Sequence, residues 1–138
     1  RTNLEWTNLS NCQLSNSNLN SARMANANLT GAIIKNAFIK WTDLSNAIAK
    51  HINITDTQLY GANLTKTDFE GSNWTNALLR TSIFSYTNLT NVDMRGAEVE
   101  EGWVEKLSGA NVVGFDAIKA NYELVPKEGS TVFLLQKI

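Results

Sequence analysis

From Leu4 to Val99 every fifth residue is apolar, with no break in phase. The series opens with Leu4, Leu9, Leu14, Leu19 and Met24 and closes with Leu89, Met94 and Val99. Only Ala49 in it is small. A helix repeats its apolar face near 100° per residue and a half-buried strand near 180°, so this period belongs to neither. Two residues before each large residue runs a second series, from Thr2 and Thr7 to Val92 and Ala97. Its members are no larger than Thr except Ile52 and Val92. Asn or Asp commonly stands between the two series, as in Ala27-Asn28-Leu29 and Thr67-Asp68-Phe69. Two residues beyond each large position the types are mostly Gly, Asn, Ser, Lys and Thr, which suit turns.

This spacing predicts a chain that bends at every fifth residue. Four bends close a coil of about twenty residues, and coils must stack to bury an interior that no single repeat encloses. At a strand-like separation of roughly 4.8 Å, five coils make a column about 24 Å tall. Residues twenty apart then lie over one another, which puts Leu9, Leu29, Ala49, Phe69 and Leu89 in one interior column. The undersized Ala49 next to the oversized Phe69, with Ile52 close by, is the compensation a close-packed interior needs.

The repeating unit of Ala, Ser or Thr, then Asn or Asp, then Leu or Phe and two further residues resembles the pentapeptide-repeat family over residues 2 to about 101. The resemblance implies an all-β fold, a right-handed quadrilateral β-helix, with both series pointing inward. On this reading residues 1–101 form the repeat column. Residues 102–138 form a shifted repeat, around Ala110-Asn111-Val112, and a capping segment that is either a terminal hairpin or the start of a further element. An open solenoid end exposes backbone and interior, so Trp103, Phe115, Tyr122, Phe133 and Leu134 are expected to cap it. The sharper expectation is a homodimer contact through the same end. Arg1 already lies inside the pattern, so a piece of a longer chain is expected.

Composition narrows the chemistry. Twelve Lys and Arg against thirteen Asp and Glu leave no field to steer nucleic acid or an acidic membrane. One Cys and one His make a disulfide framework or a Cys/His metal centre implausible. Cys12 falls in the inward series and is expected to be a buried thiol, and His51 falls at an outward corner. No catalytic constellation, cofactor loop or metal set is expected. The acidic run of Asp93, Glu98, Glu100, Glu101 and Glu105 reads as a solvated cap face. Six Asn-x-Ser/Thr triplets, at Asn8, Asn28, Asn53, Asn63, Asn73 and Asn88, follow from the repeat and say little about glycosylation.

What remains is the surplus of outward apolar residues. Ile33, Phe38, Ile48, Leu78 and Ile83 stand where Asn or Asp is usual, and Trp41, Tyr60 and Tyr86 also point out. Phe38 and Leu78 share a face two coils apart, with Tyr60 between them in height and Trp41 at the adjoining corner. Phe38, Trp41, Tyr60, Leu78 and Ile33 are therefore the candidate protein-binding patch. The expected role is a non-enzymatic protein–protein interaction scaffold within a larger bacterial protein, with no nucleic-acid or membrane partner. One alternative is the partner-binding β-helix of a secreted effector, similar to bacterial HECT-like ubiquitin ligases. Another is the branch of the family that binds gyrase by resembling DNA. Seven basic against five acidic residues up to residue 92 argue against the second. Location stays open between the bacterial cytoplasm and, for an effector, a host cell.

Overall fold

The computed structural model describes all of residues 1–138. Its corners follow one local rule. The residue two beyond each large position has a left-handed backbone, from Trp6 (φ 61°) through Asn46 (φ 59°) to Asn91 (φ 57°). Gly31, Gly61, Gly71 and Gly96 occupy the same place. The turn closes where the small residue's N–H donates to the large residue's carbonyl, as Ala47 does to Leu44 (3.0 Å) and Thr67 to Leu64 (3.0 Å). Such a φ costs a residue other than Gly about 1–3 kcal/mol, least for Asn and Asp. Trp6, Trp41, His51 and Tyr86 adopt it nonetheless, because the flanking walls are fixed by pairing to their neighbours.

Between corners each wall is one bridging residue wide. Parallel bridges join Asn3 to Arg23, Asn8 to Asn28, Gln13 to Ile33 and Asn18 to Phe38. They continue in steps of twenty up to the bridge between Leu78 and Glu98. Four columns of bridges per period make the coil four-sided. Within a wall the ladder is regular: Leu29 N–H donates to Ile48 O (2.6 Å), and Ile48 N–H donates back to Ala27 O (3.0 Å).

The Asn between the two series supports the turn that follows it. Asn53 Oδ1 accepts both the Thr55 N–H (3.1 Å) and the Thr55 Oγ1 hydroxyl (2.6 Å). The same hydroxyl bond recurs at Asn8, Asn28, Asn63, Asn73 and Asn88. Every one of the six Asn-x-Ser/Thr triplets is thus a turn device.

Both inward series are buried from Ala22 to Val99. Where the small residue is Thr or Ser, its hydroxyl donates to a carbonyl of the preceding coil, as Thr42 does to Leu19 (2.8 Å), Thr67 to Leu44 (2.7 Å) and Thr87 to Leu64 (2.7 Å). Each such bond contributes about 1 kcal/mol and holds adjacent coils in register. Trp74, the largest residue of the inward series, fits by packing edge-on against Phe69, with ring centroids 4.7 Å apart, in the coil where Ala49 and Ile52 lie beneath. In the first coil Leu4, Leu9 and Leu14 are only partly buried, since only the second coil packs on them. Cys12 shares that coil and is half-buried, not sealed as the sequence predicted.

The regular pattern ends in β1 (Glu98–Val99), followed by α1 (Trp103–Ser108), α2 (Phe115–Asn121), β2 (Tyr122–Pro126) and β3 (Phe133–Lys137). Strands β2 and β3 form an antiparallel hairpin, and β3 also pairs with β1, Glu98 opposite Leu134. Helix α1 turns Trp103 and Leu107 inward, and Trp103 meets Phe84 edge-on at 5.8 Å. After this insertion the coil resumes, with Val113 bridging Asn88 at an offset of 25. Its register differs from the one the sequence predicted. Asn111 has the corner conformation (φ 55°) and Val113 is the bridging residue, so Val112 fills the small inward position and not the large one. Gly114 stands where a large residue would, because a Cβ there would approach Thr90 N to 2.9 Å.

Candidate functional site

The wall built on Asn18, Phe38, Gln58, Leu78 and Glu98 differs from the other three. Phe38 is 40% exposed in place of the usual Asn, and Leu78 is half-buried two coils on. One residue past each large position, Lys40, Tyr60 and Arg80 stand in a column of their own. The Lys40 ammonium lies 5.8 Å from the Phe38 ring centroid and 5.5 Å from that of Tyr60. The Arg80 guanidinium lies 5.1 Å from the same Tyr60 ring. A cation–aromatic ladder therefore runs along the wall.

Trp41 closes one edge. It is 64% exposed, yet its indole lies flat over the next corner of the column, where a Cβ on Gly61 would fall 2.1 Å from its ring. Gly61 is needed for this reason more than for its φ of 66°, since most corners manage that angle without glycine. His51 and Gly71 repeat the arrangement at another corner. A ring pinned in this way offers a broad apolar surface that has little rotamer freedom left to lose on binding.

Of the five predicted patch residues, Phe38, Tyr60 and Leu78 share the wall and Trp41 borders it. Ile33 does not join them. It bridges Gln13 and Asn53 on the neighbouring wall, across the corner at Asn36, because a five-residue step turns the chain onto a new side. Sequence reasoning missed Lys40 and Arg80, although both stand twenty residues from Tyr60 and so had to stack with it.

The acidic run is not one solvated face. Glu98 is buried to 7% exposure, with Lys127 at 2.9 Å and Arg80 at 3.9 Å. Glu100 pairs with Lys106 at 3.0 Å and Asp93 with Arg95 at 2.6 Å. Hydrogen bonds from Arg95 hold the Asp93 carboxyl below the usual carboxylate range. No three His, Cys, Asp or Glu side chains converge as a metal set. A cleft of about 430 Å³ lies away from the aromatic wall, between the last coil and α2. Asn91, Asp93, Arg95, Asn121, Tyr122 and Lys137 line its polar part, and the Tyr122 hydroxyl accepts the Met94 N–H at 3.0 Å. No helix is long and apolar enough to cross a membrane.

Turns every five residues, bridges every twenty and an inward pair in each repeat define a four-sided parallel β-helix of the solenoid class. The family model for pentapeptide repeats matches in eight copies, over residues 1–36, 39–73 and 62–98. The chain belongs to the pentapeptide-repeat family, whose fold is a right-handed quadrilateral β-helix. It is 28% identical to the pentapeptide repeat protein Rfr23 of the cyanobacterium Cyanothece 51142, with a TM-score of 0.54 over 78% of this chain and 63% of that one. It thus spans less than two thirds of that protein's length. A pentapeptide repeat protein of the Arabidopsis thaliana thylakoid lumen is 20% identical over 79% of this chain and 76% of its own, with a TM-score of 0.45. QnrB1, a plasmid-mediated fluoroquinolone resistance protein, is 16% identical over 80% of this chain and 64% of its own, with a TM-score of 0.42. No curated protein matches the chain.

Proposed function

We propose that this chain is a non-enzymatic scaffold for protein–protein contact, a rigid rod of about five coils closed by residues 102–138. Its working surface is the wall of Phe38, Tyr60 and Leu78 with Trp41 at the edge. One observation carries the reading: an exposed indole is seated on a glycine beside Phe38 and Tyr60, and Phe38 stands where Asn and Asp are the rule. Aromatic anchors on a rigid support are what protein interfaces concentrate. The reading includes a place within a larger bacterial protein, such as an effector. The gyrase-directed alternative lacks the expected charge, since the repeats up to residue 92 are slightly basic.

The test is the double substitution Phe38→Asp with Trp41→Ala, made in the full-length natural protein. Both side chains are exposed, so the β-rich circular dichroism and the melting temperature are expected to hold. A partner that co-purifies with the wild type is expected to be lost. Retention of that partner by the variant removes this wall as the working surface.

A further inference from the structure

We infer that the aromatic wall recognises an extended acidic segment of a partner protein, carrying two carboxylates three residues apart. The inference rests on the wall being the working surface, and adds what that surface selects. Charge carries it. Elsewhere on the coils Arg23 has Glu5 at 2.8 Å and Lys50 has Glu70 at 3.1 Å and Asp68 at 3.5 Å, each a satisfied local pair. Lys40 has no carboxylate partner. The Arg80 guanidinium donates no hydrogen bond within the chain, and its one ion contact, 3.9 Å to Glu98, is with a carboxylate that Lys127 already holds at 2.9 Å. Lys35 and Lys66 are also free of carboxylates, but neither stands over an aromatic ring.

Lys40 is thus unpaired and Arg80 only loosely paired, and the two are also regularly spaced. Their backbone positions stand two strand spacings, about 10 Å, apart, and both charges lie within 5.5 Å of the Tyr60 centroid on the coil between. A polyproline-type chain returns to the same side every third residue after roughly 9.3 Å. A segment running along the column can therefore place one carboxylate on Lys40 and the next on Arg80. Between them its apolar residues cross Tyr60, with Phe38 and Trp41 at the flank. Proline suits that crossing, since aromatic grooves take up prolines in this conformation. The bonds to Tyr60 do not compete strongly, as an exposed cation–aromatic contact is worth only about 0.5–1 kcal/mol.

The experiment uses a fluorescent peptide with two Glu separated by two residues in a Pro/Leu background, titrated at low salt. Binding is expected with a Kd of roughly 100 µM. It should weaken about tenfold in the Lys40→Glu, Arg80→Glu variant and about as much when both Glu become Gln. Lys66→Glu is the control and should leave binding unchanged. A peptide with adjacent Glu should bind more weakly, and equal binding would overturn the spacing. Equal binding of the Gln peptide, lost in Phe38→Asp with Trp41→Ala, would overturn acid recognition yet leave the wall as an apolar docking face. No binding of the Glu peptide up to about 1 mM also overturns the inference. So does concentration-dependent dimerisation abolished by the same wall variants, which would make a second copy the occupant. Partner retention in the Phe38 and Trp41 experiment would instead overturn the underlying reading.

Discussion

The coils and the C-terminal segment solve the same burial problem by opposite means. In the coils each contact is one of a series: the Thr42 hydroxyl bond to the preceding coil recurs at Thr57, Thr67, Ser82 and Thr87. In the terminal segment each contact occurs once. Glu98 meets Lys127, Trp103 meets Phe84 edge-on, and Leu135 N–H donates to Ala97 O (2.9 Å). Redundancy tolerates local departures such as Ala49 or Trp74, because neighbours in the column compensate. Single contacts have no such reserve. The comparison predicts that damage spreads differently in the two regions.

Trp74 and Trp103 offer the strongest test, since both are fully buried and both keep the indole N–H without a partner. Each replacement by Ala is expected to cost about 3–5 kcal/mol. For Trp74→Ala hydrogen exchange should accelerate in the coils on both sides, because each coil is stabilised only by its neighbours. For Trp103→Ala the increase should stay within residues 102–138. Equal acceleration across the whole chain in both variants would show one cooperative unit and break the distinction.

Lys127→Ala comes next in size. It leaves Glu98 nearly buried with Arg80 at 3.9 Å, which is beyond hydrogen-bond reach. A loss of about 1–2 kcal/mol is expected, offset in part because the Lys127 side chain is about half exposed. It should appear first as faster exchange at Leu135 and Gly96, whose N–H groups tie the hairpin to the last coil. Unchanged exchange there would mean that the hairpin is held by apolar packing alone.

The same contrast governs what was legible in the sequence. Twenty in-phase repeats made the coil period, the inward series and the stacking of Phe69 over Ala49 readable, because each error is outvoted by its neighbours. The resumed repeat after α1 had one copy only, and its register was misjudged by taking Asn111 for a bridging residue when it is a corner. Glu98 was misjudged for a related reason. Its partner Lys127 lies 29 residues away on the hairpin turn, and no period connects the two. At the candidate site, the twenty-residue register is what places Phe38, Tyr60 and Leu78 on one wall. Ile33 was grouped with them by proximity in sequence, which a corner defeats. Trp41 over Gly61 also obeys that register, so the seat was readable once a glycine was sought twenty residues after each exposed ring.

The smallest effect isolates charge from turn geometry. Asp93 stands in the column of Asn53 and Asn73, and its Oδ1 accepts the Arg95 N–H (3.2 Å) as Asn73 accepts that of Thr75 (3.0 Å). Asp93→Asn therefore keeps the turn and removes only the ion pair with Arg95. Hydrogen bonds from Arg95 depress the carboxyl pKa in the folded state, so the carboxylate stabilises the fold above the unfolded value of about 3.9. That contribution fades as pH falls through the lower folded value. The Arg95 side chain is 62% exposed and that of Asp93 32%, so solvent and salt reduce the gain to a few tenths of a kcal/mol. At neutral pH and low salt the wild type should be slightly the more stable. Below the folded value the two stabilities should converge, and at high salt the gap should close at every pH. Parallel stability curves for the two proteins across that range would mean that the turn, shared with every other coil, is all that Asp93 supplies.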